Sequence, residues 1–138
     1  MIRSTIELIT AIQTDRKKWN PRTKPWFRGE SGNDPPLCPK IAKYSTEQEN
    51  YLVQSFRRKA GGLANTPHRG ETDKWLFLAQ HYGVPTRLLD WTEGSLFALY
   101  FAINRSHPNP RIYMLNPFRL NELAMEQPSD YLNYPITW

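Results

Sequence analysis

Pro25-Trp26-Phe27-Arg28-Gly29-Glu30-Ser31 is short, aromatic and bounded by chain breakers, the pattern of a buried strand. Side chains alternate along a strand, so Trp26 and Arg28 should share one face while Phe27 points to the other. An arginine at the end of such a strand needs a partner, because an unpaired buried charge is costly. Asp90, Glu30 and Glu93 are the carboxylates that would make a structural ion pair with Arg28. A ligand phosphate would serve as well, since the planar guanidinium meets phosphate oxygens as a fork. Gly29 would let a ligand approach the backbone closely. These residues alone leave the two readings level.

Upstream, Ser4 and Glu7 form a capping-box pair and Ile6, Ile9 and Ile12 share one face, predicting a helix that fades over residues 16–19. Residues 20–25 read as a loop. Downstream, residues 31–36 read as a turn, and a second helix should begin near Ser45, where Ser45 and Gln48 repeat the capping box. Leu52 and Phe56 lie on its inner face, and Gly61 and Gly62 stop it. Residues 63–71 carry no periodicity. A third helix over residues 73–82 takes Trp75, Leu76, Leu78 and Ala79 as its apolar stripe, with Gly83 as a left-handed cap.

Residues 86–91 then read as a strand, and residues 92–104 as a helix. Its Leu96, Phe97, Leu99, Tyr100 and Phe101 leave so little polar face that it should be largely buried. After a turn over residues 106–110, residues 111–115 alternate as a further strand, and Asn116-Pro117 opens a short helix. Beyond Met125 the landmarks are Pro128 and Pro135. The elements add up to an α+β chain of one domain, with a small mixed or antiparallel sheet and several flanking helices.

Composition narrows the class. The 138 residues are 39% hydrophobic and 22% charged, which suits a globular protein. No apolar run approaches the roughly 20 residues of a membrane span. The opening Met1-Ile2-Arg3-Ser4 lacks the apolar stretch of a signal peptide, and a single cysteine, Cys38, excludes an internal disulfide. A cytoplasmic protein is the expectation. Its net charge is +5, and within the first 28 residues Arg3, Arg16, Lys17, Lys18, Arg22, Lys24 and Arg28 face only Glu7 and Asp15. Such a stretch attracts the phosphates of a nucleotide or nucleic acid, or is a solvated surface.

A second cluster runs from Gln80-His81-Tyr82-Gly83 to Asp90-Trp91-Thr92. It puts His81 and Tyr82 at a helix end and Asp90, Trp91 and Thr92 at a strand-to-helix junction. A helix amino terminus there would offer N–H groups to an anion. Asp90 or Thr92 could equally cap that helix, and His81 could be a satisfied core histidine. His68 and His107 lie in loop-like stretches, so the histidines and the distant cysteine give no metal site. Phosphate-binding glycine loops and the nucleophile elbow are missing.

Trp26-Phe27-Arg28-Gly29-Glu30-Ser31, Leu37-Cys38-Pro39-Lys40-Ile41, the block from Leu78 to Thr92, and Ala98-Leu99-Tyr100-Phe101-Ala102 together resemble the FRG domain. The resemblance covers residues 25–116. Residues 1–24 then form an amino-terminal helix and basic lead-in, and residues 117–138 a carboxy-terminal extension. A more distant resemblance is to ADP-ribosyltransferases of the arginine–serine–glutamate type. They have an aromatic-Arg-Gly-like strand, a Ser-Thr-Ser strand end and a helix ending Ala-Leu-x-Phe-Ala, in this order.

That resemblance implies an ADP-ribosyltransferase-like fold and NAD as cofactor, in a bacterial or phage protein such as a toxin or phage-defence effector. It implies Arg28 and Gly29 at the NAD phosphates, Tyr82 or Trp91 stacked on the nicotinamide, and Asp90 to Thr92 at the Ser-Thr-Ser position, with Thr92 among the cofactor-binding residues. His81 would bond the ribose or amide, and Asp90 or Glu93 would steady the charge developing in catalysis. The acceptor would be a protein or a nucleic acid, with no membrane involved. Two departures stand out: Asp90-Trp91-Thr92 is not Ser-Thr-Ser, and no later strand carries a glutamate. The chain therefore reads as using another residue, as a short or truncated member, or as a fold that binds without reacting. The alternative is a non-catalytic module that binds nucleic acid or protein through its basic amino-terminal stretch.

Overall fold

The computed structural model describes residues 2–32, 35–62, 66–104 and 109–126. It is α+β, with five α-helices and one two-stranded antiparallel sheet among those residues. The chain divides into two compact units, Met1–Asn33 with Trp91–Trp138, and Asp34–Asp90.

In the first unit α1 spans Thr5–Arg16, β1 Trp26–Glu30, α4 Ser95–Ile103, β2 Arg111–Leu115 and α5 Pro117–Glu126. Ser4 caps α1 by accepting the Glu7 N–H at 3.1 Å. The Glu7 carboxylate takes the N–H of Arg3 at 2.7 Å, so the reciprocal half of the capping box shifts by one residue. Leu8 is the buried residue of α1, while Ile6 and Ile9 are exposed, so the inward stripe differs from the expected isoleucine face.

β1 and β2 pair antiparallel, with Phe27 opposite Met114, Arg28 opposite Tyr113 and Gly29 opposite Ile112. On the other edge of β1, Phe27 and Thr92 exchange both backbone hydrogen bonds, at 2.7 and 2.9 Å. Phe27 is 3% exposed, a burial that contributes about 2–3 kcal/mol. Helix α4 presses Ala98 and Ala102 onto β1, at 0% and 1% exposure. A Cβ on Gly29 would lie 1.8 Å from the Ala98 carbonyl oxygen. Glycine is required here because the helix backbone rests directly on the strand.

Two expectations for this region are corrected. The helix starts at Ser95 rather than at residue 92, because Thr92 is held in the bridge to Phe27 and its hydroxyl accepts the Gly94 N–H at 3.1 Å. It is also not largely buried. Its small residues face the sheet, while Leu96, Phe97, Tyr100, Phe101 and Ile103 are exposed. Close packing on Gly29 selects the alanine face, which leaves the bulkier residues outside.

In the second unit α2 spans Thr46–Lys59 and α3 Thr72–His81. Ser45 and Gln48 form the full capping box of α2, worth about 1 kcal/mol. The Phe56 ring meets Trp75 edge-on at 6.4 Å and Tyr82 at 5.8 Å, joining the two helices. Helix α3 ends as expected. Gly83 is left-handed with φ +81°, its N–H reaches Gln80 O at 2.9 Å, and Val84 N–H reaches Ala79 O at 3.0 Å.

Residues 86–91 do not form a strand. The Thr86 hydroxyl accepts the Leu88 N–H at 3.2 Å, which gives that backbone group a local partner in place of a ladder. Arg87 grips Glu49 with two bonds of 2.7 and 2.5 Å, tying the segment to the first turn of α2. The anticipated features at His107, Pro128 and Pro135 lie outside the described residues.

Candidate functional site

The residues singled out above fall into both units. Arg28, Gly29, Trp91, Thr92 and Glu93 belong to the first, and His81, Tyr82 and Asp90 to the second. Each group is described within its own unit.

Alternation along β1 sends Phe27 and Gly29 to the α4 side and Trp26, Arg28 and Glu30 to the opposite face. There the Arg28 Nε–H donates to Glu30 Oε1 at 2.9 Å, a pair of which the side chains are 20% and 13% exposed. Of the three carboxylates considered for Arg28, Glu30 is therefore a partner. Glu93 instead pairs with Lys24 at 3.2 Å on an exposed surface. The room left by the absent side chain of Gly29 is filled by α4.

Register places an aromatic residue across from Arg28. Tyr113 is directly opposite on β2, and on the other edge the bridge pairs Phe27 with Thr92, the residue after Trp91. Cross-strand partners project on one face, so Arg28 and Tyr113 share one. The Tyr113 hydroxyl is buried and has no hydrogen-bond partner among the described residues. A buried unsatisfied hydroxyl costs about 1–3 kcal/mol.

In the second unit, Gln80 links the cluster that the sequence had marked. Its amide donates to Asp90 Oδ1 and its carbonyl accepts from the Thr86 hydroxyl. Asp90 is thus tied to the end of α3 rather than capping a helix. His81 is exposed and meets the Tyr82 ring edge-on at 5.5 Å. No group of three or more histidine, cysteine, aspartate or glutamate side chains could hold a metal ion among the described residues.

Gln80 and Tyr113 escaped the sequence reading. Gln80 lay inside the quoted block with no role given to it, and only the β1–β2 register draws attention to Tyr113.

A family model for the FRG domain matches residues 23–111. This covers more than half of the chain, which belongs to the FRG domain family. The three letters of that name now have separate structural meanings: Phe27 seals the core, Arg28 occupies the polar face and Gly29 admits α4. No curated protein and no solved structure matches the chain.

Proposed function

We propose that the chain is a nucleotide-binding domain that takes a dinucleotide of the NAD type on the polar face of its sheet. Arg28 binds the phosphates, and Trp91 stacks on a base or on the nicotinamide. The observation that carries this reading is the Tyr113 hydroxyl, buried directly across from Arg28 without a partner among the described residues. A ligand oxygen or ring nitrogen would satisfy it. The Glu30 contact orients the guanidinium, as positioning of a phosphate-binding arginine requires. The resemblance to ADP-ribosyltransferases supports NAD as the nucleotide.

Calorimetric titration of NAD into the folded chain tests the proposal. Tyr113→Phe should weaken binding about tenfold while leaving the ligand-free protein as stable or about 1 kcal/mol more so. Arg28→Lys should weaken it further, because a single ammonium does not reproduce the guanidinium fork. Absence of binding, or binding indifferent to both changes, overturns the reading. Nicotinamide release from the same mixtures would make the domain a transferase or hydrolase. Binding without release would make it a sensor or adaptor.

A further inference from the structure

At the end of α1 the chain does not trail off as a solvated basic tail. Lys18 and Trp19 return their N–H groups to Asp15 and Arg16, at 3.3 and 3.0 Å. A turn then closes with Thr23 N–H on Asn20 O at 2.9 Å, Pro21 occupying its second position. Thr23 is buried, and its carbonyl accepts from Arg16 Nη2 at 3.3 Å. The basic residues of this stretch are therefore held on a fixed frame.

That frame forms one wall of an open cleft of about 670 Å³, and the start of α5 forms the other. Lys18, Arg22 and Arg119 line it together with the aromatic side chains of Trp19 and Phe118. Phe118 is 55% exposed, so its ring is open to a partner in the cleft. Asn20 and Asn116 also line the cleft, and each uses its side-chain carbonyl on a neighbouring backbone N–H, of Arg22 at 3.0 Å and Arg119 at 3.1 Å. Their amide N–H₂ groups make no hydrogen bond among the described residues, which leaves two donors at the cleft. The carboxylate in the lining is Glu122, in an exposed pair with Arg119 at 2.9 Å. Such pairs are weak enough for a phosphate to displace.

We infer that this cleft binds single-stranded nucleic acid: Lys18, Arg22 and Arg119 meet successive phosphates, and Trp19 and Phe118 stack on bases. Cations alone would suit any anion, and aromatic rings alone any apolar partner. Their interleaving with amide donors is the chemistry of a strand with unstacked bases. The cleft is open, which lets a polymer pass through and does not enclose a small molecule. Duplex recognition is disfavoured, since paired bases cannot reach the two rings. The inference is independent of the NAD reading, because it uses none of that site's residues.

Fluorescence anisotropy of labelled 12-nucleotide RNA and DNA strands with the full chain, in low and moderate salt, tests it. Phe118→Ala should weaken binding about tenfold. Arg22→Gln should reduce the slope of log affinity against log salt by about 0.7, one phosphate contact on a single strand. Lys59→Gln, the same charge change outside the cleft, should leave affinity within about twofold. Circular dichroism checks that each variant is folded, and Arg119→Gln provides a second charge removal should Arg22→Gln unfold. Whichever of RNA and DNA binds more tightly names the natural strand. Three results would overturn the inference: no binding of either strand, equal binding of a duplex, or a Lys59→Gln loss equal to that of Arg22→Gln.

Discussion

On one face of β1, Phe27 is sealed from solvent and Gly29 lies against the backbone of α4, while on the other Arg28 and Glu30 stay within reach of water. The same five residues thus meet two surroundings. Against α4 there is no spare volume, and any added atom must displace helix backbone. Opposite lie the Arg28–Glu30 ion pair and a Tyr113 hydroxyl with no partner among the described residues. The contrast separates a face of β1 with no spare volume from one that keeps polar groups near solvent.

The contrast can be broken at several points. Phe27→Ala should cost about 3–5 kcal/mol in urea unfolding, the range for truncating a buried phenylalanine. Gly29→Ala should cost about 3 kcal/mol, at the upper end for overpacking, because the clash is with backbone and not with a side chain able to move. Arg28→Met should cost less, about 2 kcal/mol, with NAD affinity lost in the same variant. A loss of 3–5 kcal/mol there would instead make the polar face as structural as the packed one.

The smallest effect is a reference for polar pairs outside the sheet. The Lys74 ammonium, and after it the His68 N–H, hold the Glu71 carboxyl below the usual glutamate range. A depressed carboxyl adds stability above its unfolded value, and that stability is lost as pH falls through the lower folded value. Carboxyl NMR of Glu71 should therefore show an acid-shifted midpoint that rises towards the ordinary one in Lys74→Ala.

Local signals foretold much of this fold. The breakers around β1, the alternation of β2, the Ser45–Gln48 box and the Gly83 cap each act within a few residues, and each formed as expected. What failed depended on distant partners. Residues 86–91 have strand-like composition, but Thr86 and Arg87 are engaged by Gln80 and Glu49. The apolar side chains of α4 suggested burial, yet the helix turns its alanines inward because Gly29 admits nothing larger. The candidate site was legible at Arg28 and not at Tyr113, since pairing across a sheet cannot be counted from spacing. Family membership was legible in full.

The contact of Gly29 with Ala98 and Ala102 also acts as a register pin. If β1 slid by one position against the helix, Arg28 or Glu30 would be driven into the Ala98 carbonyl, where not even one carbon fits. The strand therefore has a single seat, and the glycine beside it fixes the direction in which Arg28 leaves the sheet.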